Sequence, residues 1–267
     1  MLNLHLRMFN LKNLIMKKII PLLTLCGFAF MGFAQESKNS GVVTYDMTRK
    51  FELKIQGNQN SDIANMLPKE KKSKKELIFN EEVSLYRNPV KENGEDEVIQ
   101  ESAGGTSIRI KMVEADEFVY FDIKSKKKTE LREFMSRRFL IESSTDTVKW
   151  KVTGNQKEII GYSCLEAELV GASKKTVAWF APTLPIQTGP DGFSGLPGLI
   201  LALDVEDGKM TLTASKIDFK PINSKELSKP KDGKKVTAQE FRKIVDEKTK
   251  EMQSASGGAM VTIRVED

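Results

Sequence analysis

Apolar and polar residues alternate along most of this chain, and this period of two restricts its fold more than any other feature. In the segment 42–47, for example, Val43, Tyr45 and Met47 alternate with Val42, Thr44 and Asp46. Successive side chains of a strand point to opposite faces of a sheet, so the pattern is typical of half-buried strands. We expect one long first strand over 42–55 and further antiparallel strands over 76–79, 83–86, 108–112, 117–123, 129–134, 139–142, 148–152, 159–167, 199–205, 209–214 and 260–265.

Short polar segments between these strands contain the residues of tight turns. Asn80-Glu81-Glu82 and Asp207-Gly208 are expected to close hairpins, and Gly154-Asn155 is expected to end the strand before it. The lysine run 126–128 is expected at a solvated hairpin end. Residues 89–107 are rich in acid and glycine and have no periodicity, which predicts a mobile surface loop.

The hydrophobic period changes to that of a helix near the C-terminus. Thr237-Ala238-Gln239-Glu240 is a capping box, in which the first and last side chains bind each other's backbone N–H groups. Apolar residues follow at helical spacing: Phe241, Ile244, Val245 and Met252. We expect a helix over about 236–252 and one or two helical turns over 61–67. The predicted fold is therefore mainly antiparallel β with one or two helices, in the α+β class.

The first 34 residues have the composition of a secretory signal peptide. Met16-Lys17-Lys18 supplies a basic start, residues 19–31 form a short apolar segment, and Gly32-Phe33-Ala34 provides the small residues of a cleavage site. We therefore expect translation to begin at Met16 and the leader to be removed after residue 34.

Cleavage after Ala34 leaves one mature domain over 35–267, which we expect to be exported to the periplasm, the envelope or the medium. The apolar segment of the leader, residues 19–31, is too short to span a bilayer, and no transmembrane segment is expected after cleavage. The alternative is a lipoprotein modified at Cys26. The large Leu25 that precedes this cysteine disfavours that alternative.

The basic excess of the whole chain, 42 Lys and Arg against 37 Asp and Glu, comes mainly from the leader. Residues 1–34 contain four bases and no acid, so the mature part has 38 bases against 37 acids. Because no basic face is indicated, a nucleic-acid partner is not expected. The only histidine, His5, also lies in the leader. Ser-His-Asp and Cys-His catalysis and histidine-ligated zinc are therefore excluded from the mature protein.

Cysteine use is equally restricted. Removal of the leader removes Cys26 and leaves Cys164 as the only thiol, so no intramolecular disulfide is expected. Cys164 lies in the apolar run 159–167, which predicts a strand. We interpret it as a packed core thiol, and the alternative is a reactive thiol that pairs with another molecule.

Three motifs could suggest chemistry, and each is better explained as a turn or a loop. Gly192-Phe193-Ser194-Gly195-Leu196 lacks the last glycine of a nucleophile elbow. Ser125 and Lys128 have the spacing of a Ser–Lys pair, but nothing in their lysine-rich turn would lower the lysine pKa. The segment 204–208 lacks the further carboxylates of an EF-type calcium loop. No catalytic residue, metal site or cofactor is expected, and an enzyme that uses carboxylates or lysines alone is the least favoured function.

The passage 178–201 is not explained as an ordinary surface loop. It contains four prolines and four glycines among apolar residues. Proline and glycine at this density fix turns, while the aromatic and leucine side chains are too apolar to stay in water. The passage is either a buried corner between two strands, which the residues alone favour, or the lip of an apolar pocket. In the second interpretation the ligand-binding candidates are Trp179, Phe180, Pro185, Phe193, Leu196 and Leu199.

Other residues of the same passage are expected to be structural: Gly189, Pro190, Gly195, Pro197 and Gly198. Pro197 fits the first central position of a type II turn over 196–199. Gly198 would then occupy the next position, where φ is positive and a residue with a Cβ costs about 1 kcal/mol or more.

Gly195-Leu196-Pro197-Gly198-Leu199-Ile200 is the hexapeptide that names the GLPGLI family, also called the Porph_ging domain, and the chain resembles these exported proteins of Bacteroidota. The order of residues before the hexapeptide supports the resemblance: Trp150, Gly161-Tyr162-x-Cys164, Ala167, Ala178-Trp179-Phe180, Pro185, Gly189-Pro190 and Phe193. The resemblance covers about 42–219. It implies an exported protein of unassigned biochemical function, with no catalytic residues to carry over.

A weaker similarity of fold links the long antiparallel strands to the curved, half-open β-barrels of periplasmic lipoprotein carriers, which hold acyl chains. On this analogy, the leading hypothesis is a non-enzymatic envelope protein that binds an apolar, lipid-like ligand or a lipidated partner on a curved sheet. The alternative is a structural or accessory interaction protein of an outer-membrane transport or secretion complex, without a small ligand. An open cavity rimmed by Phe193, Leu196 and Leu199 would favour the first hypothesis, and burial of all three the second.

Overall fold

The computed structural model of this chain describes residues 38–50, 53–54, 69–90, 97–103, 106–112, 117–145, 148–255 and 262–263. These residues are mostly in strands, and most of the strands form one large sheet that is mainly antiparallel and is not closed into a barrel. The α+β class expected from the alternation is confirmed.

The elements in these ranges are numbered in chain order. The strands are β1 (Gly41–Lys50), β2 (Leu53–Lys54), β3 (Glu70–Phe79), β4 (Val83–Arg87), β5 (Glu97–Ala103), β6 (Thr106–Met112), β7 (Phe118–Asp122), β8 (Lys127–Phe134), β9 (Arg137–Ser144), β10 (Trp150–Ile159), β11 (Tyr162–Leu169), β12 (Thr176–Ala181), β13 (Leu199–Val205), β14 (Met210–Phe219), β15 (Lys234–Val236) and β16 (Thr262–Ile263). A short 3-10 turn covers Pro190–Gly192, and the helix α1 covers Ala238–Ala255.

Twelve strands form the large sheet, in the order β10-β11-β12-β13-β14-β1-β3-β4-β7-β8-β9-β15. Each pair of neighbours is antiparallel except β9 and β15, which run parallel. The strands β2 and β16 form a separate pair, as do β5 and β6. The N-terminal strand β1 therefore lies inside the sheet, between β14 and β3.

The main core lies against one face of this sheet. Val43, Tyr45 and Met47 of β1 are buried in it, while Asp46 between them is exposed, as the alternation predicts. Full burial of a side chain of this size contributes about 1.5–3 kcal/mol. A smaller cluster is formed by Ile78, Leu85 and Leu227. Because Ile78 follows the core residue Leu77 directly in β3, this second cluster lies on the opposite face.

The expectation of one long strand over 42–55 is wrong. The strand β1 ends at Lys50, and Leu53–Lys54 pairs with β16 instead of continuing along β14 and β3. Both partners of β1 end at the same level, because Arg49 is opposite Met210 and Lys50 is opposite Glu70. The length of a strand inside a sheet depends on its neighbours, which alternation within one segment does not report.

The loop expected over 89–107 is also wrong in part. Residues 97–103 pair with residues 106–112 as the antiparallel strands β5 and β6. Cross-strand hydrogen bonds join backbone groups and do not require a regular side-chain pattern. The adjacent Gly104-Gly105 is a two-residue turn signal that the acid-rich composition obscured.

The strand β10 continues through the expected turn at Gly154-Asn155. Its register with β11 shifts between residues 152 and 156, and Gly154 has a φ of +92° within this bulge. The hairpin closes instead at Ile160-Gly161, where both residues have positive φ. A glycine inside a strand pattern is compatible with a bulge as well as with a turn, and here it forms a bulge.

Two predicted hairpin turns are confirmed. The Asn80 side-chain oxygen accepts hydrogen bonds from the N–H groups of Glu82 and Val83, at 2.9 and 2.8 Å. The Asp204 carboxylate accepts one from the N–H of Gly208 at 2.7 Å. These short polar side chains close the β3–β4 and β13–β14 hairpins.

The C-terminal helix is confirmed together with its cap. The N–H of Glu240 donates to the Thr237 hydroxyl at 3.2 Å, and the N–H of Thr237 donates to the Glu240 carboxylate at 2.7 Å. Helical turns expected over 61–67 lie outside the described residues, and only residues 262–263 of the expected last strand are described. Within the described part of the chain, no helix has the length and apolar character needed to cross a membrane.

Candidate functional site

The segment between β12 and β13, residues 182–198, contains the motif singled out by the sequence, and we name it the GLPGLI loop. Backbone hydrogen bonds join it to the start of β13. Leu199 N–H donates to the Leu184 carbonyl at 2.9 Å, and Ile200 N–H donates to the Thr188 carbonyl at 3.0 Å. The first residues of β13 therefore hold the loop at two points.

Three-residue turns shape this loop. Each is closed by a hydrogen bond from the N–H of one residue to the carbonyl two residues before it: Ile186 to Leu184 at 2.7 Å, Thr188 to Ile186 at 2.9 Å and Gly198 to Leu196 at 2.9 Å. Pro185 and Pro197 lie at the centres of two of them, and their fixed φ suits an inverse γ-turn. The expected type II turn over 196–199 is therefore wrong.

The glycines of the motif have different roles. Gly198 does not have a positive φ, so the expected backbone requirement there is wrong. A Cβ at Gly198 would instead lie 2.3 Å from the Ala181 carbonyl oxygen, which requires glycine for the close approach of β12. At Gly189 a Cβ would lie 2.6 Å from the Cβ of Ile200. Only Gly195 among these three glycines has a positive φ, +91°.

Apolar side chains of the GLPGLI loop point into the core. Leu184, Leu196 and the following Leu199 are at most 2% exposed. Polar groups are also enclosed, because the hydroxyls of Thr188 and Ser84 form a buried hydrogen bond at 2.6 Å. The loop thus packs on one face of the sheet and reaches β4 there.

A buried tyrosine of β1 is hydrogen-bonded to the start of β13, directly after the loop. The Tyr45 hydroxyl of β1 donates to the Ile200 carbonyl at 2.6 Å. Burial raises the pKa of Tyr45 well above its ordinary value, so the phenol stays protonated and can donate. The central strand of the sheet is therefore bonded directly to the hexapeptide.

The six candidate ligand-binding residues differ in burial. Phe180, Leu196 and Leu199 are buried, Trp179 and Phe193 are half-buried, and Pro185 is exposed. They do not share one open surface. A role for them in ligand binding stays a prediction.

The two half-buried aromatic residues already have neighbours within the chain. The Phe193 ring lies 6.2 Å from the Trp150 ring, and the Trp150 indole N–H donates to the Ser194 carbonyl at 2.8 Å. The Lys157 ammonium lies 4.2 Å from the centre of the Trp179 ring, a cation–π contact. Both aromatic side chains are therefore engaged by other parts of the protein.

A charged network lies beneath the loop. The Arg132 guanidinium of β8 contacts the carboxylates of Glu117 at 2.9 Å, Glu130 at 3.1 Å and Asp191 at 3.5 Å. Asp191 belongs to the 3-10 turn of the loop and has a φ of +53°, which aspartate tolerates better than most residues. The network therefore joins the loop to the strand beneath it by charge.

Two lysines balance the remaining charge of this network. Lys128 contacts Glu130 at 2.7 Å, and the buried Lys75 contacts Glu117 at 3.6 Å. Burial raises the pKa of Asp191, only partly offset by Arg132 and Lys128. Burial also acts to raise the pKa of Glu130, but Lys128 and Arg132 outweigh it and the pKa is lowered. The pKa values of these two carboxyl groups are thus shifted in opposite directions within one network.

Sequence reasoning missed this network, although β8 contained a signal for it. Lys128, Glu130 and Arg132 occupy alternate positions with alternating charge, while Thr129 and Leu131 between them are buried. A strand with one apolar face and one face of alternating charge is a candidate for ion pairs on a covered surface. Two acids outside β8 complete the network: Glu117 directly precedes β7, and Asp191 comes from a distant segment; neither had such a pattern.

The other candidate nucleophiles have structural environments. The Ser194 hydroxyl is buried and donates to the Thr145 hydroxyl at 3.3 Å. Cys164 is fully buried, as predicted for a core thiol, and burial raises its pKa to about 11. It is therefore a neutral thiol near pH 7. In the ranges that the structure describes, no three His, Cys, Asp or Glu side chains converge as a metal site.

Comparisons with known proteins agree with the motif. Residues 168–202 match the model of a family described as "Protein of unknown function (Porph_ging)", so the recognition from the hexapeptide is confirmed over that segment. No curated protein matches the sequence.

Two solved structures of PNGF-II match this chain, and one of them is similar in fold. The structure in space group P21 has a TM-score of 0.51 at 17% identity and covers 78% of this chain and 34% of that chain. The structure in space group C2 has a TM-score of 0.48 at 16% identity, covering 77% and 33%. This chain therefore spans about a third of the length of PNGF-II. At this identity the likeness concerns the fold alone.

Proposed function

We propose that this chain is an exported, non-enzymatic interaction protein of the cell envelope, in which the GLPGLI loop is a structural corner. The observation that carries the proposal is that Leu196 and Leu199 are buried inside the chain, while the half-buried Phe193 packs against the Trp150 ring instead of rimming an open cavity. A residue that binds an apolar ligand must be reachable by it, and the two leucine side chains are covered by their own sheet. The leader over 1–34 supports export to the periplasm or beyond.

The charged groups support a role without catalysis. General acid–base chemistry needs a group whose pKa is tuned near the working pH and which can reach a substrate. In the network around Arg132, three carboxylates and three cations satisfy one another beneath the loop. We therefore assign this network to holding the loop.

The edge strand β10 is the surface on which we propose that a partner protein binds. It has a neighbour on one side among the described strands, and its side chains from Lys151 to Glu158 are exposed. The exposed edge of a sheet offers backbone N–H and C=O groups to an added strand. The bulge at Gly154 divides this edge, so a partner strand would pair with one half of it.

Photo-cross-linking in whole cells tests the proposal. A benzoylphenylalanine is placed at Lys151 or Glu158 in β10, with a matched control at the exposed Lys216 of β14, a strand inside the sheet. We expect discrete cross-linked species from the two β10 positions and none from the control. Equal cross-linking at all three positions, or at none, would count against a binding edge.

The apolar-ligand hypothesis is tested in parallel. Native mass spectrometry of protein purified from its own envelope, followed by lipid extraction, is expected to show the ligand-free mass. A stoichiometric lipid that is lost in Phe193→Ala would overturn the proposal and favour the pocket interpretation.

A further inference from the structure

A cleft of about 220 Å³ lies between the helix α1 and the strands β9 and β15, away from the GLPGLI loop. Three elements line it: Arg137 and Phe139 come from β9, Lys234 comes from β15, and Ile244 and Lys248 come from α1. Convergent polar groups from several elements around an apolar floor are the usual composition of a ligand site.

The lining of the cleft has an excess of positive charge. It contains four cationic side chains, the fourth being Arg138, and one carboxylate, Glu247. The ion pairs of these groups lead to exposed partners outside the lining: Arg138 to Asp232 at 3.2 Å, Lys248 to Glu251 at 2.6 Å and Glu247 to Lys243 at 3.9 Å. Cations held near one another repel, and a bound anion would remove part of that cost.

Strand register places cationic and apolar residues on one face. Arg137 and Phe139 are two residues apart in β9 and therefore share a face, and Lys234 lies opposite Phe139 in the parallel pair. The helix packs on this face, because the Phe139 ring lies 5.3 Å from the Phe241 ring of α1. Arg137 and Lys234 thus lie beside an aromatic floor rather than on a flat polar surface.

The volume limits the ligand. Pockets for drug-sized molecules span about 300–1,000 Å³, and this cleft of about 220 Å³ favours a smaller ligand. Arginine matches the oxygen geometry of phosphate, and the lysines in the same lining add positive charge. We propose that the cleft binds a phosphate monoester, with its phosphate near Arg137, Lys234 and Lys248 and its first carbon atoms against Ile244. The ester is either a soluble metabolite or the head group of a lipid.

Isothermal titration of the full-length protein at low salt tests this site with hexyl phosphate, inorganic phosphate and hexanol as probes. We expect hexyl phosphate to bind several-fold more tightly than inorganic phosphate, because its chain covers Ile244, and hexanol not to bind. Equal affinity for both phosphates would overturn the contribution of the apolar floor. The absence of binding by either phosphate would overturn the site.

Matched charge variants separate a built site from general attraction. The double variant Arg137→Gln/Lys234→Gln is expected to weaken hexyl phosphate binding by about tenfold or more. The control Lys151→Gln/Lys216→Gln removes the same charge from exposed positions of β10 and β14 and is expected to change it less than about twofold. Equal losses in the two doubles would show non-specific attraction and overturn the proposal.

A vesicle-binding experiment distinguishes a lipid head group from a soluble metabolite as the source of the ester. Sedimentation with phosphatidylcholine vesicles containing phosphatidic acid is compared with vesicles of phosphatidylcholine alone. Binding that requires phosphatidic acid and is lost in the Arg137→Gln/Lys234→Gln variant supports the site with a lipid as its source. Binding of hexyl phosphate without vesicle binding supports it with a soluble ester. Vesicle binding that survives in the double variant would overturn the assignment to this cleft.

Discussion

The GLPGLI loop and the helix α1 both cover the sheet, and they do so in opposite ways. The loop has almost no regular structure, yet Leu184 and Leu196 are nearly inaccessible to solvent. The helix has a complete cap and an amphipathic stripe, yet Phe241 and Ile244 are only half-buried and Met252 is 38% exposed. A regular hydrophobic period therefore indicates which element forms, and it does not indicate how closely that element packs.

The loop backbone lies closer to the sheet than a helix backbone can, and this explains the difference in burial. Glycine at position 198 lets the loop backbone lie against Ala181 of β12, which brings the neighbouring leucines into the core. A helix keeps its backbone at a distance set by its own side chains, about 8–10 Å from a packed partner helix for example. In α1 the Phe241 ring packs edge-on against the Phe139 ring of β9, at 5.3 Å between ring centres. Glycine and proline thus produced deeper burial here than amphipathicity did.

The largest expected effect comes from truncating one aliphatic side chain on each side of this comparison. Leu196→Ala removes a buried side chain from the loop and is expected to lower the free energy of unfolding by about 2–5 kcal/mol. Ile244→Ala removes a half-buried side chain from α1 and is expected to cost less than about 1 kcal/mol. Urea unfolding followed by fluorescence measures both. Equal losses would mean that the helix packs as tightly as the loop.

Two glycine substitutions separate close approach from backbone conformation. Gly198→Ala places a methyl group against the Ala181 carbonyl and is expected to destabilise by about 1–3 kcal/mol, through displacement of β12. Gly195→Ala meets the Trp150 ring at 3.7 Å and the Val148 carbonyl oxygen at 4.0 Å, both ordinary contacts, and is expected to cost about 1 kcal/mol because of its positive φ. Thermal melts of the two variants check the order. A reversed order would contradict the steric role assigned to Gly198.

The hydrogen bonds that anchor the GLPGLI loop and the helix α1 provide a third test. Tyr45→Phe removes the hydrogen bond to the Ile200 carbonyl and is expected to lower the global free energy of unfolding by about 1–2 kcal/mol. Thr237→Ala removes the exposed cap of α1, typically worth about 1 kcal/mol to a helix. We expect its loss to appear mainly as faster hydrogen exchange within α1. Global destabilisation by Thr237→Ala as large as that of Tyr45→Phe would place the helix in the same cooperative unit as the loop.

The smallest expected effect is on how much stability the protein loses at acidic pH. The pKa of Glu130 is lower in the folded protein, so its stabilisation is complete above the ordinary glutamate value of about 4.3 and is lost as the pH falls through the folded-state pKa. Urea melts between pH 6 and 3 should therefore show a shallower acid loss in Glu130→Gln than in the parent. Asp191 works in the opposite direction: its pKa is raised, so its contribution is lost as the pH rises.

An exposed carboxylate provides the control for this acid test. Glu142 also has a lowered pKa, caused first by its hydrogen bond from Lys229, but both side chains are about half exposed. Salt at about 0.5 M should remove the effect of Glu142→Gln and leave that of Glu130→Gln. If salt removes both effects, the network beneath the loop is no more shielded than the surface.

Alternation and capping were sufficient to predict the fold class, and tertiary contacts decided the details. Tyr45 was expected on the buried face of the first strand and lies there, while the end of that strand at Lys50 depends on where β14 and β3 stop. The sequence indicated that position 198 requires glycine. It could not indicate the reason, because a positive φ and a close approach of another backbone segment both require glycine. The distance to Ala181, which comes from another strand, distinguishes them.

The candidate site was harder to predict than the fold for the same reason. The loop contains a recognisable motif, so its position was known in advance. The ion pairs beneath it join β8 to Asp191, which is distant in sequence, and no local pattern reports such a pairing. The phosphate cleft likewise depends on β15 lying beside β9, a parallel pairing at the edge of the sheet that periodicity does not indicate.

The place of β1 has a consequence for how the chain acquires its structure. One side of β1 pairs with β3, which follows it soon in the chain, whereas the other side pairs with β14, with Gly41 opposite Phe219. Closing so long a segment costs entropy before its contacts can repay it, and such topologies fold slowly. The middle of the sheet stays incomplete until β14 has been synthesised. Until then one side of β1 is an open edge, whose backbone N–H and C=O groups can pair with another chain.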